Sequence, residues 1–265
     1  GEFYGMVFQD SDVAKWLEAA AYSLGQRPNP ALEREVDSVV ELLAQVQQED
    51  GYLNSYFTVK EPERKWTNLQ EAHELYCAGH LMEAACAYYE ATGKDRFLKI
   101  MEKNANCIYR HFMEECPQGY SGHPEVELAL LRLYRASGNE KYKELCAHFL
   151  EVRGQSPNYF IQEKARRGWN VWGPTGNDAN DTGYTQSTLP VREQKDAVGH
   201  AVRAVYLYTA MADLAGETGD QGLAKACRAL WESASHRQMY VTGGTGHTVL
   251  GEALTVEYDL PTVTV

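Results

Sequence analysis

Acidic side chains are the residues of this sequence with the clearest capacity for chemistry. Glu125 and Glu127 follow His123 closely, and Glu193 lies three residues after Pro190. Hydrolysis of a glycosidic bond requires a protonated acid beside the leaving oxygen and a second group that attacks the sugar or activates water. Most carboxylates are expected to be surface residues or helix caps, so the sequence alone does not rank these candidates. Three more cluster near the end of the chain: Glu252, Glu257 and Asp259.

The segment HELYCAGH (residues 73–80) raises metal binding as an alternative. On a helix, His73, Cys77 and His80 would share one face, one turn apart, and could chelate a metal ion. The segment is not the HExxH motif, because Cys77 stands four residues after His73, and spacing ties no further ligand to it. A sugar-binding or structural role for the histidines is therefore favoured, and no metal ligand is assigned.

Two other motifs point away from familiar chemistries. The segment GGTG (residues 243–246) resembles a phosphate-binding loop but lacks the preceding apolar strand and the following Lys-Ser/Thr. The GxSxG motif of serine hydrolases is absent from the sequence. Neither phosphate binding nor a serine nucleophile is predicted.

Three segments repeat one helical unit. They begin at Cys77, Tyr120 and Ala197, and each contains Gly-His, a helix rich in Ala, Leu and Tyr, a Thr/Ser-Gly turn and a second amphipathic helix. Repeats of this kind predict stacked helical hairpins. The first helix is apolar nearly all round and the second is charged on one face, which indicates buried inner helices and half-exposed outer ones.

The predicted fold is therefore all-α, an α/α toroid, with an open solenoid as the alternative. Closure is favoured because the linking loops are long and unequal. The Gly-His pairs are expected at the starts of the inner helices, so that His80, His123 and His200 meet at one end of the ring. Toroid enzymes hold their clefts at that end.

The segments around the repeats complete this prediction. Helices are expected at residues 13–23, capped by Asp10, Ser11 or Asp12, and at residues 31–48. The aromatic-rich loop at 50–57 and the irregular segment 152–196 are typical of functional loops, with a flexible insertion as the alternative for the second. The Gly-rich stretch that contains residues 243–251 predicts short strands or turns.

Composition narrows the class of protein. The chain of 265 residues suffices for one large domain, and its net charge of −12 disfavours nucleic acid and anionic membrane surfaces as partners. No apolar run approaches the length of a membrane span. Six cysteines without a CxxC pair predict free thiols and a bacterial cytoplasmic location. The opening GEFYGMVFQD is typical of an internal stretch and leaves an upstream signal peptide open.

Six motifs in a fixed order resemble glycoside hydrolase family 127, the bacterial β-L-arabinofuranosidases. The resemblance runs from about residue 10 to residue 261, and several long motifs in one order are far more specific than any one of them. They are DSDVAKWLEAAAYSL, DGYLNSYF, HELYCAGHLMEAACAYYEATG, GHPEVELALLRLYRASG, LPVREQKDAVGHAVRAVYLY and MYVTGGTG…GEALTVEYDLP.

The resemblance implies a fold, an activity and a set of site residues. It implies one catalytic (α/α)6 barrel domain over residues 1–265, in agreement with the repeats. It implies a retaining exo-β-L-arabinofuranosidase for plant-derived oligosaccharides that contain L-arabinofuranose, with a homodimer as one assembly to be tested. The family's acid/base glutamate falls on Glu252 of the GEALT motif. Its sugar-contacting histidines fall on His73, His123 and His200.

The same resemblance implies a zinc-bound cysteine thiolate as nucleophile, because zinc keeps a thiol deprotonated near neutral pH. In the family, the zinc ligands and the nucleophile follow YDLP, whereas this sequence reads YDLPTVTV and stops. None of the six cysteines stands at a corresponding position. We therefore expect the rest of the barrel, any β-sandwich domains and the zinc site to lie outside these 265 residues. Zn²⁺ is expected in the complete enzyme and not in this chain.

Sugar specificity and reaction type retain alternatives. Thr185 and Thr188 stand in a loop where relatives are expected to have a histidine, so another plant sugar is an alternative substrate. Toroids of this kind also include sugar epimerases and unsaturated-uronyl hydrolases, and the chain alone could be a non-catalytic, sugar-binding piece. Three aromatic residues are expected either to wall the cleft or to pack in the core: Tyr52, Trp169 and Tyr184.

Overall fold

The computed structural model describes residues 2–248 and 251–261. Residues 249–250 of the Gly-rich motif and residues 262–265, the TVTV end, lie outside the described residues. The described helices are α1 (Asp10–Gln26), α2 (Pro30–Val46), α3 (Ser55–Val59), α4 (Glu74–Thr92), α5 (Arg96–Arg110), α6 (Val126–Ser137), α7 (Glu140–Val152), α8 (Tyr159–Arg167), α9 (Ala201–Thr218) and α10 (Gln221–Glu232). Two short strands, β1 (Gly199–His200) and β2 (Ala253–Leu254), pair antiparallel.

Consecutive helices form hairpins, and the hairpins stand side by side. The pairs are α1–α2, α4–α5, α6–α7 and α9–α10, and the first members contact one another in the order α1, α4, α6, α9. The fold is therefore all-α and toroidal, as the repeats predict. Each of the three sequence repeats forms one hairpin, and α1–α2 adds a fourth.

The residue pattern explains the two layers. Inner helix α4 is rich in alanine and buries nearly every side chain from Glu74 to Tyr88, so it is covered on all sides. Outer helix α5 buries one stripe that includes Phe97, Met101 and Ile108, and leaves charged residues in solvent. Burial of these apolar faces against each other is the main stabilising contribution to the hairpins.

The Thr/Ser-Gly turns end the inner helices as expected. Gly93, Gly138 and Gly219 follow α4, α6 and α9 with φ of 72°, 72° and 70°. Each donates its N–H to a carbonyl four residues earlier, which closes the helix end. Glycine adopts this left-handed conformation without the Cβ clash that other residues meet. The turns therefore fix where each inner helix stops and its outer partner begins.

Three local expectations were wrong. The residue that caps α1 is Gln9, and Asp10 instead accepts hydrogen bonds from the Ser55 N–H (2.7 Å) and the Ser55 hydroxyl, which ties α1 to α3. The irregular segment contains the helix α8. His80 lies inside α4, six residues after the helix begins at residue 74, so it is not at the end of the ring. The described residues contain no helix with the length and hydropathy of a membrane span.

Candidate active site

A cavity of about 460 Å³ lies where the N-terminal ends of α4, α6 and α9 converge. His73 is the residue before α4, His123 lies three residues before α6, and His200 is the residue before α9. The four site residues expected from the sequence all line this cavity, so the fold brings together positions up to 179 residues apart. The remaining lining residues are Phe8, Asp12, Lys15, Tyr76, Trp172, Asn177, Tyr184, Val202 and Arg203.

The three imidazoles stand in a row. The ring centroids of His73 and His123 are 5.5 Å apart, and those of His123 and His200 are also 5.5 Å apart. Tyr76 packs against His123 at 4.4 Å between ring centroids, and its hydroxyl accepts a hydrogen bond from Lys15 Nζ at 3.0 Å. The row therefore forms one wall of polar rings with a fixed spacing.

Hydrogen bonds assign the proton on each ring. His73 Nδ1 lies 2.6 Å from the carbonyl oxygen of Glu71, and His123 Nδ1 lies 3.0 Å from that of Pro124. A carbonyl oxygen only accepts hydrogen bonds, so both Nδ1 atoms carry the proton and both Nε2 atoms are acceptors. Two imidazoles can therefore accept hydrogen bonds from sugar hydroxyls.

His200 has the opposite arrangement. Its Nδ1 accepts the backbone N–H of Arg203 at 3.4 Å, which places the ring proton on Nε2. That nitrogen lies 3.1 Å from Glu252 Oε2, so His200 donates to the carboxylate. The imidazole thus fixes the position of the carboxylate through a directed hydrogen bond.

The three histidines are held neutral. Burial and then the nearby Arg203 guanidinium lower the pKa of His73 to about 3. Burial and then Arg203 also hold the pKa of His123 well below its usual range. The same two causes lower the pKa of His200, while Glu252 opposes them. Because the rings are neutral, each keeps one nitrogen that can accept a hydrogen bond, as the hydrogen bonds of the three histidines require.

The backbone positions Glu252 at the rim of the cavity. Strand β2, which begins one residue later, pairs with β1, and the Glu252 carbonyl accepts the N–H of Ala201 at 2.9 Å. Glu252 itself has a φ of +47°, a conformation that is uncommon for a residue with a Cβ. Its side chain is 74% exposed and therefore accessible from solvent.

Arg203 is the site residue that sequence reasoning missed. It is only 3% exposed, its guanidinium carbon lies 4.7 Å from the Tyr184 ring centroid, and its Nη1 donates to the Gly122 carbonyl at 3.2 Å. No carboxylate of the described residues forms an ion pair with it, and its buried Nε has no hydrogen-bond partner among them. An arginine in the first turn of an inner helix, three residues after His200, was the available signal.

The amino-acid sequence matches the family profile described as "Beta-L-arabinofuranosidase, GH127 catalytic domain" over residues 1–265. The chain belongs to this family.

Similar proteins agree with the GH127 assignment. The non-reducing end beta-L-arabinofuranosidase of Bifidobacterium longum subsp. longum is 42% identical over 98% of this chain and 40% of its own length. The crystal structure of a GH127 beta-L-arabinofuranosidase from Geobacillus stearothermophilus T6 superposes with a TM-score of 0.92 at 57% identity, over 98% of this chain and 41% of that one. A GH127 beta-arabinofuranosidase structure gives 0.85 at 37% identity, over 98% and 39%. The chain thus spans about two fifths of the length of these relatives.

Three other carboxylates that the sequence offered as candidates in this GH127 chain do not line the cavity. Glu125 is buried beside His80, with Oε1 at 3.4 Å from Nδ1, and burial raises the pKa of Glu125 and lowers that of His80 to about 3. Glu127 forms a buried ion pair with Arg153 at 3.1 Å. Glu257 pairs with Arg237 at 2.6 Å. These contacts are internal, so Glu252 is the carboxylate among these candidates that lines the cavity.

The aromatic candidates divide between cleft and core. Tyr184 lines the active-site cavity beneath the Arg203 guanidinium. Tyr52 is 1% exposed and donates its hydroxyl to Glu74 at 2.5 Å, so it is a core residue. Trp169 lines a different cavity. Trp172, which the sequence did not single out, packs against His73 at 6.2 Å between ring centroids and lines the active-site cavity.

The described residues do not fit the zinc site that the family implies. Within residues 2–248 and 251–261, no three His, Cys, Asp or Glu side chains converge on a point that could hold a metal ion. In the HELYCAGH segment, Cys77 is fully buried and burial raises its pKa well above the usual range, while His80 faces Glu125. We assign no zinc ligand to this part of the chain and derive no step through zinc.

Proposed function

We propose that the full-length protein is a retaining, exo-acting β-L-arabinofuranosidase that removes terminal L-arabinofuranose from plant-derived oligosaccharides. One observation carries the proposal: the exposed carboxylate of Glu252, at the rim of a cavity, lies 3.1 Å from the N–H of the neutral His200 imidazole. The relatives from Bifidobacterium and Geobacillus, both described as beta-L-arabinofuranosidases, support this choice over an epimerase or a uronyl hydrolase.

Glu252 acts as the acid/base. In its protonated form it delivers a proton to the glycosidic oxygen as the bond to the leaving group breaks, and in its ionised form it takes a proton from the incoming water. The His200 N–H donates to the carboxylate, which fixes the direction of the Glu252 side chain. Because the side chain is mostly exposed at the rim, it remains accessible to the glycosidic oxygen of a bound substrate.

His73 and His123 bind the sugar. Each presents a neutral Nε2 that accepts a hydrogen bond from a hydroxyl, and each is fixed through Nδ1 by a backbone carbonyl. Two acceptors at a spacing of 5.5 Å between ring centroids match separate hydroxyl groups on one small ring. Preorganised acceptors of this kind orient the sugar beside Glu252 at little entropic cost.

The nucleophile and a zinc ion in the complete enzyme remain predictions. Four of the six cysteines are buried, all six are free thiols, and none lines the cavity. Metal analysis of the full-length protein is expected to find about one zinc per chain, and of residues 1–265 alone none, by the ligand requirement of thiolate sites. Zinc bound stoichiometrically by residues 1–265 would contradict this division.

The decisive experiment is Glu252→Gln in the full-length protein. We expect kcat for a natural arabinofuranosyl linkage to fall about 10²–10⁴-fold, because the proton donor is lost. An aryl arabinofuranoside with a good leaving group needs no protonation and should retain much of its rate. Glu257→Gln is the matched control, since Glu257 pairs with Arg237 outside the cavity. Unchanged rates on both substrates in Glu252→Gln would refute the assignment.

Location and assembly belong to the same proposal. The free thiols favour the bacterial cytoplasm. Cell fractionation that recovers the activity from the periplasm or medium would contradict it. A homodimer is the assembly to be tested by light scattering on the full-length protein, and a monomer mass would contradict it.

A further inference from the structure

A second cavity, of about 450 Å³, lies next to the active site along the chain. Gly168 and Trp169 line this cavity, while Trp172 and Asn177 of the same segment line the active-site cavity. Three peptide units join Trp169 to Trp172, so their Cα atoms lie within about 11 Å of each other. A single short segment therefore separates the two cavities.

Aromatic rings form much of the second cavity. Trp66, Tyr159 and Trp169 line it, and the guanidinium carbon of Arg64 lies 4.9 Å from the Trp169 ring centroid. Trp169 Nε1 donates to Thr67 Oγ1 at 3.0 Å, which fixes the ring. Rings with an apolar face and a polar edge suit the C–H faces and hydroxyl groups of sugars.

Trp66 is held in an unfavourable backbone conformation at this cavity. Its φ is +59°, an outlier for a bulky residue, and its backbone N–H donates to both oxygens of the buried Glu74 carboxyl, at 2.9 and 3.2 Å. The ring stacks on His111 at 5.5 Å. Strain of this kind persists where the surroundings impose it, and it clusters at binding sites. Here it directs the indole of Trp66 into the cavity wall.

Polar groups in the lining lack partners. Within residues 2–248 and 251–261, no acceptor lies within hydrogen-bonding distance of Trp66 Nε1, and neither Arg166 nor Glu63 forms an ion pair. Arg167 and Glu163, by contrast, bind each other at 3.0 Å. The free groups are the neutral N–H of Trp66, the cationic Arg166 and the anionic Glu63, and this set without net charge matches a neutral polyol better than a polyanion.

We propose that this second cavity binds a sugar residue of the glycan chain behind the terminal arabinofuranose. The inference deepens the proposed function and rests on it. The second cavity thereby makes the protein prefer oligosaccharides over small arabinofuranosides.

Glu71 fixes the two cavities relative to each other. Its carboxylate accepts the N–H of Val171 at 2.7 Å and the N–H of Asn177 at 2.5 Å, which clamps both ends of the separating segment. Its carbonyl accepts the His73 Nδ1 proton at 2.6 Å. One residue therefore anchors both His73 and the segment between the cavities, which fixes the positions of the two cavities relative to each other.

The kinetic test uses the double variant Arg64→Ala/Arg166→Ala of the full-length protein, with Arg34→Ala, an exposed arginine of α2, as control. For a tetrasaccharide with a terminal β-L-arabinofuranose, we expect KM to rise about tenfold, the value of one charged hydrogen bond. The KM for p-nitrophenyl β-L-arabinofuranoside should change less than about twofold, because that substrate fills the active-site cavity alone. An unchanged tetrasaccharide KM, or equal changes for both substrates, would overturn the proposal.

A binding test separates this proposal from the assigned activity. Arabinotriose is titrated into Glu252→Gln protein carrying Trp172→Phe, which removes the signal of the active-site tryptophan. Trp66 and Trp169 then report on the second cavity, whereas Trp16 and Trp231 line neither cavity. Saturable quenching that disappears when the two arginine substitutions are added supports the second site, even if the protein hydrolyses no arabinofuranoside. Absence of quenching overturns it, even if hydrolysis is confirmed.

Discussion

Arg203→Met should change the pH dependence of kcat/KM, because the Arg203 guanidinium lowers the pKa of His200. The guanidinium lies 4.7 Å from the Tyr184 ring centroid, which is 5.6 Å from the His200 ring. Guanidinium and imidazole are therefore no more than about 10 Å apart, and at an effective dielectric constant of about 20 their repulsion is at least about 1.6 kcal/mol when His200 is protonated. Methionine fills similar space without the charge.

Without this repulsion, the proportion of protonated His200 at a given pH should rise at least about tenfold. Protonated His200 cannot accept the backbone N–H of residue 203, so the imidazole loses the arrangement that directs its Nε2 proton to Glu252. The acidic limb of the kcat/KM profile should consequently move to higher pH. Arg203→Lys retains the charge and should leave that limb in place, although KM rises because the bond to the Gly122 carbonyl is weakened.

The assay is hydrolysis of p-nitrophenyl β-L-arabinofuranoside by the full-length protein from pH 4 to pH 8, with histidine titrations followed by NMR. Thermal unfolding provides the structural control, since replacing a buried charge by an apolar side chain is often neutral or stabilising. An Arg203→Met protein that folds normally and shows an unshifted acidic limb and unshifted histidine titrations would refute the electrostatic reasoning.

Two further predictions concern stability. Gly122→Ala should lower the free energy of unfolding, measured by urea titration, by about 1–3 kcal/mol, because the added Cβ would stand 2.3 Å from the Gln70 carbonyl oxygen. The control is Gly216→Ala, which places a Cβ in open space on α9 and should be neutral or stabilising by up to about 1 kcal/mol. Equal effects of the two substitutions would contradict the packing argument. The second prediction concerns His73, whose pKa is lowered to about 3 in the folded protein. As pH falls below about 6.5, the unfolded chain therefore binds a proton at this residue before the folded protein does. The free energy of unfolding should consequently fall by up to about 1.4 kcal/mol per pH unit because of His73. Urea midpoints measured from pH 7 to pH 4 should show the loss, and His73→Gln should reduce the slope by about one proton; an equal slope in both proteins would show that His73 is not its source.

Much of the architecture followed from local patterns. The alternation of nearly all-apolar and amphipathic helices determines inner and outer layers, because burial follows the apolar surface of each helix. Thr/Ser-Gly turns mark the helix ends, since Gly93, Gly138 and Gly219 adopt a backbone conformation that other residues avoid. The motif around Glu252 pointed to the residue that the structure places at the cavity rim.

Contacts between distant segments decided which histidines and which arginine line the cavity. The Gly-His repeat suggested His80 for the end of the ring, but α4 begins six residues earlier, so His73 takes that place and His80 is buried against Glu125. Arg203 looked like one polar residue on an inner helix until the fold placed its guanidinium over Tyr184.

The sequence by itself determined which residue types could hold a sugar and donate a proton. The tertiary structure decided which nitrogen of each histidine carries the proton and which charges act on it. The physical reason is that tautomers and electrostatic interactions depend on the carbonyl, N–H and guanidinium groups that surround a ring. For His200, those groups come from the first turn of α9 and from a carboxylate that lies 52 residues later in the chain.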